Sequence, residues 1–302
     1  MKTRFLIAAL LIMIGSTLRA APAPSDQPAP PVLEPLKAKI GRHYAFKGTV
    51  LSFRAEAPIT AEQWKSIEGL GIRLIVTGGK GIDDAAVERL AKLDPEGLIL
   101  DGSALTDDGC KYIAEMKSLR WLNVGHTTLG KNGFSGAGFA RLKSLPNLEK
   151  LGFGGTGAGD IAMDSIGELT QLKEFSSWHT HFTLESNIAF PKLIHLTTLT
   201  LGNSMPAWDG KPRRLSLTDA TLPMIAQMTA LEHLTLMQAR FTLPGLKQLK
   251  ALPRLKTLNL QNVEMTPAEV EKLRAELPAV KIDYKPLTEE DQKKLEDFLT
   301  HR

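Results

Sequence analysis

An apolar–x–apolar triplet returns along most of this chain at a nearly constant interval, and this recurrence limits the fold more than any other feature. Leu122-Asn-Val124, Leu151-Gly-Phe153, Leu199-Thr-Leu201, Leu234-Thr-Leu236 and Leu258-Asn-Leu260 each alternate like a short strand with one buried face. A leucine stands three residues before each of them, at Leu119, Leu148, Leu196, Leu231 and Leu255. Taking the first apolar residue of each unit as a register mark gives Leu51, Leu74, Leu98, Leu122, Leu151, Phe175, Leu199, Leu234 and Leu258. The intervals are 23, 24, 24, 29, 24, 24, 35 and 24 residues. Nine units follow, two of them enlarged by insertions, and Val280-Lys-Ile282 reads as a closing strand.

The second half of each unit has helical spacing behind a side-chain cap. Thr60 precedes Trp64, Ile67 and Leu70; Asp83 precedes Val87, Leu90 and Leu93; Thr106 precedes Cys110, Ile113 and Met116; Thr242 precedes Leu246, Leu249 and Leu252. Cap plus four, seven and ten is one face of a helix. Thr266-Pro267-Ala268-Glu269 is a capping box with proline at the first helical position, where its missing amide hydrogen costs nothing. Pro146, Pro253 and Pro278 then stop the turn before the next strand. One strand and one helix of this length cannot bury an apolar face alone, so neighbouring units must stack, with parallel strands on one side and helices on the other.

Leu119-x-x-Leu122-x-Val124, and Leu98-x-Leu100 followed by Leu105-Thr106-Asp107-Asp108-Gly109-Cys110, resemble leucine-rich repeats of the cysteine-containing, F-box-associated subtype and its bacterial secreted relatives. The resemblance runs from about Thr49 to Tyr284. It implies an α/β fold: a right-handed leucine-rich-repeat solenoid of about nine repeats, a horseshoe with parallel strands on the concave face and helices on the convex face. It implies little about function, because members bind very different partners. The position that such repeats give to a turn-bonding Asn is held here by Ser103, Thr127, Thr156, Thr180, Ala239 and Val263, so hydroxyls replace an Asn ladder only partly.

Outside the repeats, Lys2 and Arg4 precede an apolar run from Phe5 to Ile14, and small and polar residues lead on to Ala20. That is the pattern of a secretory signal peptide over residues 1–20. The run is shorter than the about 20 apolar residues of a membrane span, so cleavage after Ala20 and a periplasmic or secreted location are expected, with no stable membrane span afterwards. Residues 21–45 read as a Pro/Ala-rich linker, extended through Pro35, and an N-terminal cap. Residues 46–284 read as the repeat domain. Residues 285–302 read as a capping helix, with Thr288 ahead of Leu295, Phe298 and Leu299, covering the open end of the solenoid. Lys2, Arg4 and Arg19 supply most of the net charge of +4 in a segment without acids, so the rest is near neutral and lacks the basic footprint of a nucleic-acid binder. Cys110 is the one cysteine, which rules out an intramolecular disulfide and a multi-cysteine zinc site, and its register places it in the core.

No residue pattern meets the requirements of an active site, so a non-catalytic module without cofactor or metal is expected. Gly152-Phe153-Gly154-Gly155-Thr156-Gly157 fits GxGxxG, but it falls on a strand of a short repeat with no βαβ unit around it. His126 and His179 hold the same position two repeats apart, which puts their backbones about 10 Å from each other at a strand spacing of roughly 4.8 Å. That is too far for direct shared ligation of zinc at about 2.0–2.1 Å per bond. No GxSxG elbow is present, and a hydrolase with an unrecognised site stays the third reading.

The residues flanking the buried strand positions face the concave side. Trp121, Asn123 and His126 in one repeat, Lys150 with Gly152, Gly154 and Gly155 in the next, and Glu174, Ser176, Trp178 and His179 in the third set aromatic walls around a glycine strip. Trp178 is either a binding hot spot or a ring packed over glycines that lack side chains. Insertions around 130–134 and 205–214 emerge on one rim, the longer one carrying Trp208, Lys211, Arg213 and Arg214, as a partner contact or as a tolerated surface insertion. The expected ligand surface is Trp121, Asn123, His126, Lys150, Glu174, Trp178, His179 and Trp208. A protein partner is the first expectation, a cell-envelope glycan the alternative.

Overall fold

The computed structural model describes residues 28–43, 48–127, 133–205 and 214–300. One sheet of eleven strands runs through it in strict sequence order. The strands are β1 (Lys39–His43), β2 (Gly48–Arg54), β3 (Ile72–Gly78), β4 (Gly97–Asp101), β5 (Trp121–Gly125), β6 (Lys150–Gly154), β7 (Glu174–Trp178), β8 (Thr198–Gly202), β9 (His233–Arg240), β10 (Thr257–Glu264) and β11 (Lys281–Tyr284). β1 pairs antiparallel with β2, and every later pair is parallel. Between the strands run short helices: α1 (Ala61–Glu68), α2 (Asp84–Ala91), α3 (Cys110–Ile113), α4 (Asp160–Ile166), α5 (Leu222–Ile225), α6 (Leu243–Lys247) and α7 (Pro267–Glu276), with 3-10 turns at Ala137–Ser144 and Glu185–Lys192 in the two repeats without an α-helix. Nine strand-and-helix units, β2 to β10, closed by β11, make the chain an α/β leucine-rich-repeat solenoid.

Local chemistry explains several turns of the solenoid. Thr60, Asp83, Thr242 and Thr266 cap their helices by accepting from Gln63, Ala86, Gly245 and Glu269 amides, and Thr60 and Thr266 complete capping boxes. β3 to β7 are each followed by a left-handed residue, Gly79, Gly102, His126, Gly155 and His179, which bends the chain out of the sheet, while Gln238 and Asn262 take that conformation within β9 and β10. Register residues Leu51, Leu98, Leu122, Leu151, Phe175, Leu199, Leu234 and Leu258 are buried in one continuous core. At its centre Phe153 packs against Phe139, Phe175 and Phe182, with ring centroids 5.3, 5.7 and 5.5 Å away. Cys110 is fully buried there, and burial pushes its thiol far above the ordinary range, helped by the charges of Asp107 and Asp84.

In the second repeat the structure differs from the sequence register. Ile75, rather than Leu74, pairs with Leu51 and Leu98. Leu74 therefore lies on the opposite face of the sheet. Leu74-Ile75-Val76 is apolar throughout, so alternation alone could not choose between the two faces. The linker is also shorter than its composition suggests. The chain is folded from Pro31, where a 3-10 turn (Pro31–Leu36) packs on α1 and buries Leu33 and Leu36. Residues 1–20, read from the sequence as a signal peptide, and residues 21–27 lie outside the described residues.

Hydroxyls do not replace the Asn ladder. Ser103 and Thr127 hydroxyls are buried without a hydrogen-bond partner. Carboxylates one helical turn further on link the repeats instead. Asp84 accepts from the Thr106 amide and hydroxyl at 2.9 and 2.5 Å, and Asp107 from Ser135 at 3.0 and 2.6 Å. Asp160 accepts from Thr183 at 2.8 and 2.7 Å, and Asp219 from Thr242 at 3.0 and 2.6 Å. Asn203, fully buried, is an Asn that does act as a tie: it donates to the Leu217 and Gln238 carbonyls and accepts from the Ser216 and Leu217 amides.

A second ladder lies two residues before each register position, where Arg73, Glu96, Arg120, Glu149, Lys173, Thr197, Glu232 and Lys256 nearly alternate in sign. Ion pairs span Arg73–Glu96 (2.8 Å), Arg120–Glu149 (2.9 Å), Lys173–Glu149 (2.6 Å) and Lys256–Glu232 (2.6 Å). The Lys173 ammonium, and after it Arg120, hold the Glu149 carboxyl below the usual carboxylate range. A depressed folded-state pKa contributes stability above the unfolded pKa and loses it as pH falls through the folded value. Glu149→Gln is therefore expected to lower stability by up to about 1 kcal/mol near neutral pH, the scale of exposed pairs, with the gap closing in acid. Urea midpoints of both chains at about pH 7 and about pH 3 check this; a gap that is constant with pH would remove the ion pair as its source.

The last helix, α8 (Glu289–Thr300), forms as expected, with the Thr288 hydroxyl accepting from the Asp291 amide. Its position is not the expected one. Rather than covering the end of the core, it packs against β9 and β10. Arg240 at the end of β9 pairs with Glu296 at 2.6 Å, and Gln292 donates to Glu264 at the end of β10. The Phe298 ring lies 5.5 Å from that of His179, just past β7. The helix thus crosses the C-terminal ends of the strands, while α7 and β11 close the solenoid.

Candidate functional site

The face of the sheet turned away from the helices is built from the residues between the buried ones, and its two halves differ. Over β2 to β5 it is apolar. Leu74 and Ile99 are buried beneath Val50, Val76 and Trp121, a cluster separate from the main core. Pairing explains the grouping: Val76 lies beside Ile99, and Ile99 beside Asn123, while Gly97, which has no side chain, sits between Leu74 and Trp121. The bare Gly97 backbone leaves room for the indole to lie toward Leu74. Trp121 is half-buried, with one side against this cluster.

The middle of the face, over β6, is filled. Gly152, Gly154 and Gly155 are all buried. A Cβ on Gly152 would meet Asn123 Nδ2 at 2.6 Å and Ser176 Oγ at 2.7 Å, one on Gly154 would meet Trp178 Cε2 at 2.2 Å, and one on Gly155 would meet His126 Cδ2 at 2.5 Å. Side chains from both neighbouring strands therefore roof the strip. The GxGxxG segment offers no exposed backbone to a phosphate, and the glycines serve as seats for larger neighbours.

This arrangement corrects the reading of Trp178 as an open wall. Its ring lies over Gly154 and its Cβ against Gly202, and only 5% of the residue is exposed. A channel between two exposed indoles is therefore not formed. His126 and His179 occupy equivalent left-handed positions but have different partners. His126 Nδ1 lies 2.7 Å from Asp101 Oδ1, and His179 Nε2 lies 2.7 Å from Gln238 Oε1. Among the described residues no group of three or more His, Cys, Asp or Glu is placed to hold a metal ion. Lys150 and Glu174, side by side on β6 and β7, pair at 2.6 Å and remain partly exposed.

The structure thus brings Trp121, Asn123, His126, Lys150 and Glu174 onto one surface and takes Trp178 out of it. Asp101 and Arg54 join that surface without having been singled out in the sequence. The Arg54 guanidinium pairs with Glu56 at 2.6 Å and reaches the Asp101 carbonyl at 3.3 Å, along the strand ends toward His126. The signal for Asp101 is present in retrospect: it closes β4 one strand before His126. Trp208 lies outside the described residues, as does most of the insertion that carries it. The ends of that insertion are held together, since the Ser204 hydroxyl donates to the Arg214 carbonyl at 2.9 Å.

No protein-family model matches the chain, and no curated protein matches it. Among solved structures, an internalin C2 from Listeria monocytogenes is similar, with 16% sequence identity and a TM-score of 0.43 over 74% of this chain and 84% of that one.

Proposed function

We propose that this chain is a non-catalytic protein-interaction scaffold that works outside the cytoplasm and takes its partner on the concave face of β2 to β6. The observation that carries this reading is the apolar cluster of Val50, Val76 and Trp121 over Leu74 and Ile99, on a sheet face that packs against no helix of its own repeats. Half-buried apolar side chains with a tryptophan, bordered by polar groups, match the apolar centre and polar rim of a protein interface. Asn123, His126 with Asp101, and the Lys150–Glu174 pair form that border. An envelope glycan is less well served, because the paired indoles and open glycine floor that would hold a sugar chain are replaced by a filled surface. The extracytoplasmic location is supported by the signal-peptide pattern of residues 1–20, and no helix of the described residues is long and apolar enough to cross a membrane.

The test is quantitative capture from the source organism's envelope fraction, followed by titration of the recovered partner. Trp121→Ala is expected to weaken binding by more than about 1 kcal/mol, and Val76→Asp by at least as much. Ile188→Asp, a change at a side chain exposed on the helical side, serves as control and should bind normally. Equal losses from all three changes, or none from Trp121 and Val76, would move the site off this face.

A further inference from the structure

Helix α8 is the one element of the described chain that lies across the ends of the strands instead of joining one repeat to the next. Its buried side chains, Leu295 and Leu299, fall outside the continuous core. So do Trp178, at the end of β7 beside His179, and Met237 on β9, both buried on the outward face of the sheet. Removing α8 would leave the core closed, since α7 and β11 already cover its end. Two of its polar anchors are surface contacts: Arg240 and Glu296 are each about half exposed, and Gln292 reaches Glu264 at 3.3 Å. A helix of twelve residues is marginal by itself in water, so α8 exists as a helix only while seated.

From these observations we infer that α8 is a displaceable ligand held in cis, and that the seat beneath it, across the C-terminal ends of β7 to β10, binds an acidic amphipathic helix of a partner protein in its place. The resident helix defines the chemistry of that partner. It presents Leu295, Phe298 and Leu299 at helical spacing, an acid at Glu296 aimed at Arg240, and a surplus of acids from Glu289, Glu290, Asp291 and Asp297 over Lys293 and Lys294. The seat answers with the Arg240 cation, the His179 ring and the apolar Trp178 and Met237. Elements with little buried apolar contact and exposed polar contacts open at lower free energy than the rest of a fold, which is what an exchangeable ligand requires. This surface is separate from the apolar cluster on β2 to β5, and the inference stands whether or not that cluster binds a partner.

The test uses the full-length chain and a fluorescein-labelled synthetic peptide with the sequence of residues 286–300. Leu295→Ala with Phe298→Ala in the protein weakens the resident helix, and the peptide is expected to bind this variant at least ten-fold more tightly than the wild-type chain. Adding Arg240→Ala to the doubly substituted chain should weaken peptide binding at least five-fold. Circular dichroism checks that each variant keeps its fold. In the wild-type chain, hydrogen exchange should show α8 amides at least ten-fold less protected than those of β9 and β10. Equal peptide affinity for wild type and variant, or no binding to either, overturns the inference, as does α8 exchange that occurs only together with β9. A wild-type dimer that the double substitution dissolves would mean that α8 of a second copy fills the seat, and would also overturn it.

Discussion

Replacing Phe153 with alanine is expected to cost about 3–5 kcal/mol, the range for a large aromatic removed from a fully packed core. Phe153 has no exposed surface and touches rings from the repeats on either side, Phe139 before it and Phe175 and Phe182 after it. The surrounding rings are themselves fixed by strand and turn, so the space cannot close by a local shift. In a solenoid each repeat is stable largely through its neighbours, and a cavity at the sixth strand weakens the interfaces on both sides of it. Urea unfolding provides the measurement, with Thr235→Ala as the outward-facing control, expected within about 0.5 kcal/mol. A second transition in the Phe153→Ala chain would show the two halves separating. A loss below about 1 kcal/mol would mean that the aromatic stack is not formed.

The repeats are legible because the leucine triplets and helix caps are local signals that recur. A single period carries strand, turn and helix, and stacking is the only arrangement that buries all of them. What was hard to read has identifiable physical causes. The second repeat is apolar on both faces at Leu74, Ile75 and Val76, so its register is decided by pairing with Leu51 and Leu98, which the alternation does not encode. The carboxylate ladder was visible as an acid beside a helix cap, at Asp84, Asp107 and Asp219, but its function depends on a hydroxyl about one repeat away. The alternating rim charges likewise need the register before their signs mean anything.

The candidate surface was legible only in part, for a reason that concerns glycine. Sequence places Trp121, Asn123, His126 and Trp178 on the outward face, and that placement is correct. It does not say where a side chain leans once it leaves the strand. Gly97 lets Trp121 lie toward Leu74, and Gly152, Gly154 and Gly155 draw Asn123, Ser176, Trp178 and His126 over them. The same missing side chains that suggest an open floor are what allow the floor to be covered. The seat of α8 shows a related gap: its amphipathic pattern reveals which face of the helix is buried, and nothing in the pattern says against what.

The relation between Trp178 and Gly154 gives the second large effect. Trp178→Ala is expected to cost about 3–5 kcal/mol, since the ring is nearly fully buried and its loss uncovers the β6 backbone. Gly154→Ala alone is expected to cost about 1–3 kcal/mol, because the added methyl would sit 2.2 Å from Trp178 Cε2 and the indole, pinned at its own Cβ by Gly202, has little room to move. The two changes should not add. With the ring gone the methyl meets open space and fills part of the cavity, so the double variant should be more stable than the sum of the single losses by at least about 1 kcal/mol. Urea melts of the four chains measure that coupling directly. Strict additivity, with Trp178→Ala within about 0.5 kcal/mol of wild type, would show that the indole stands off the sheet, and would return Trp178 to the binding surface beside Trp121.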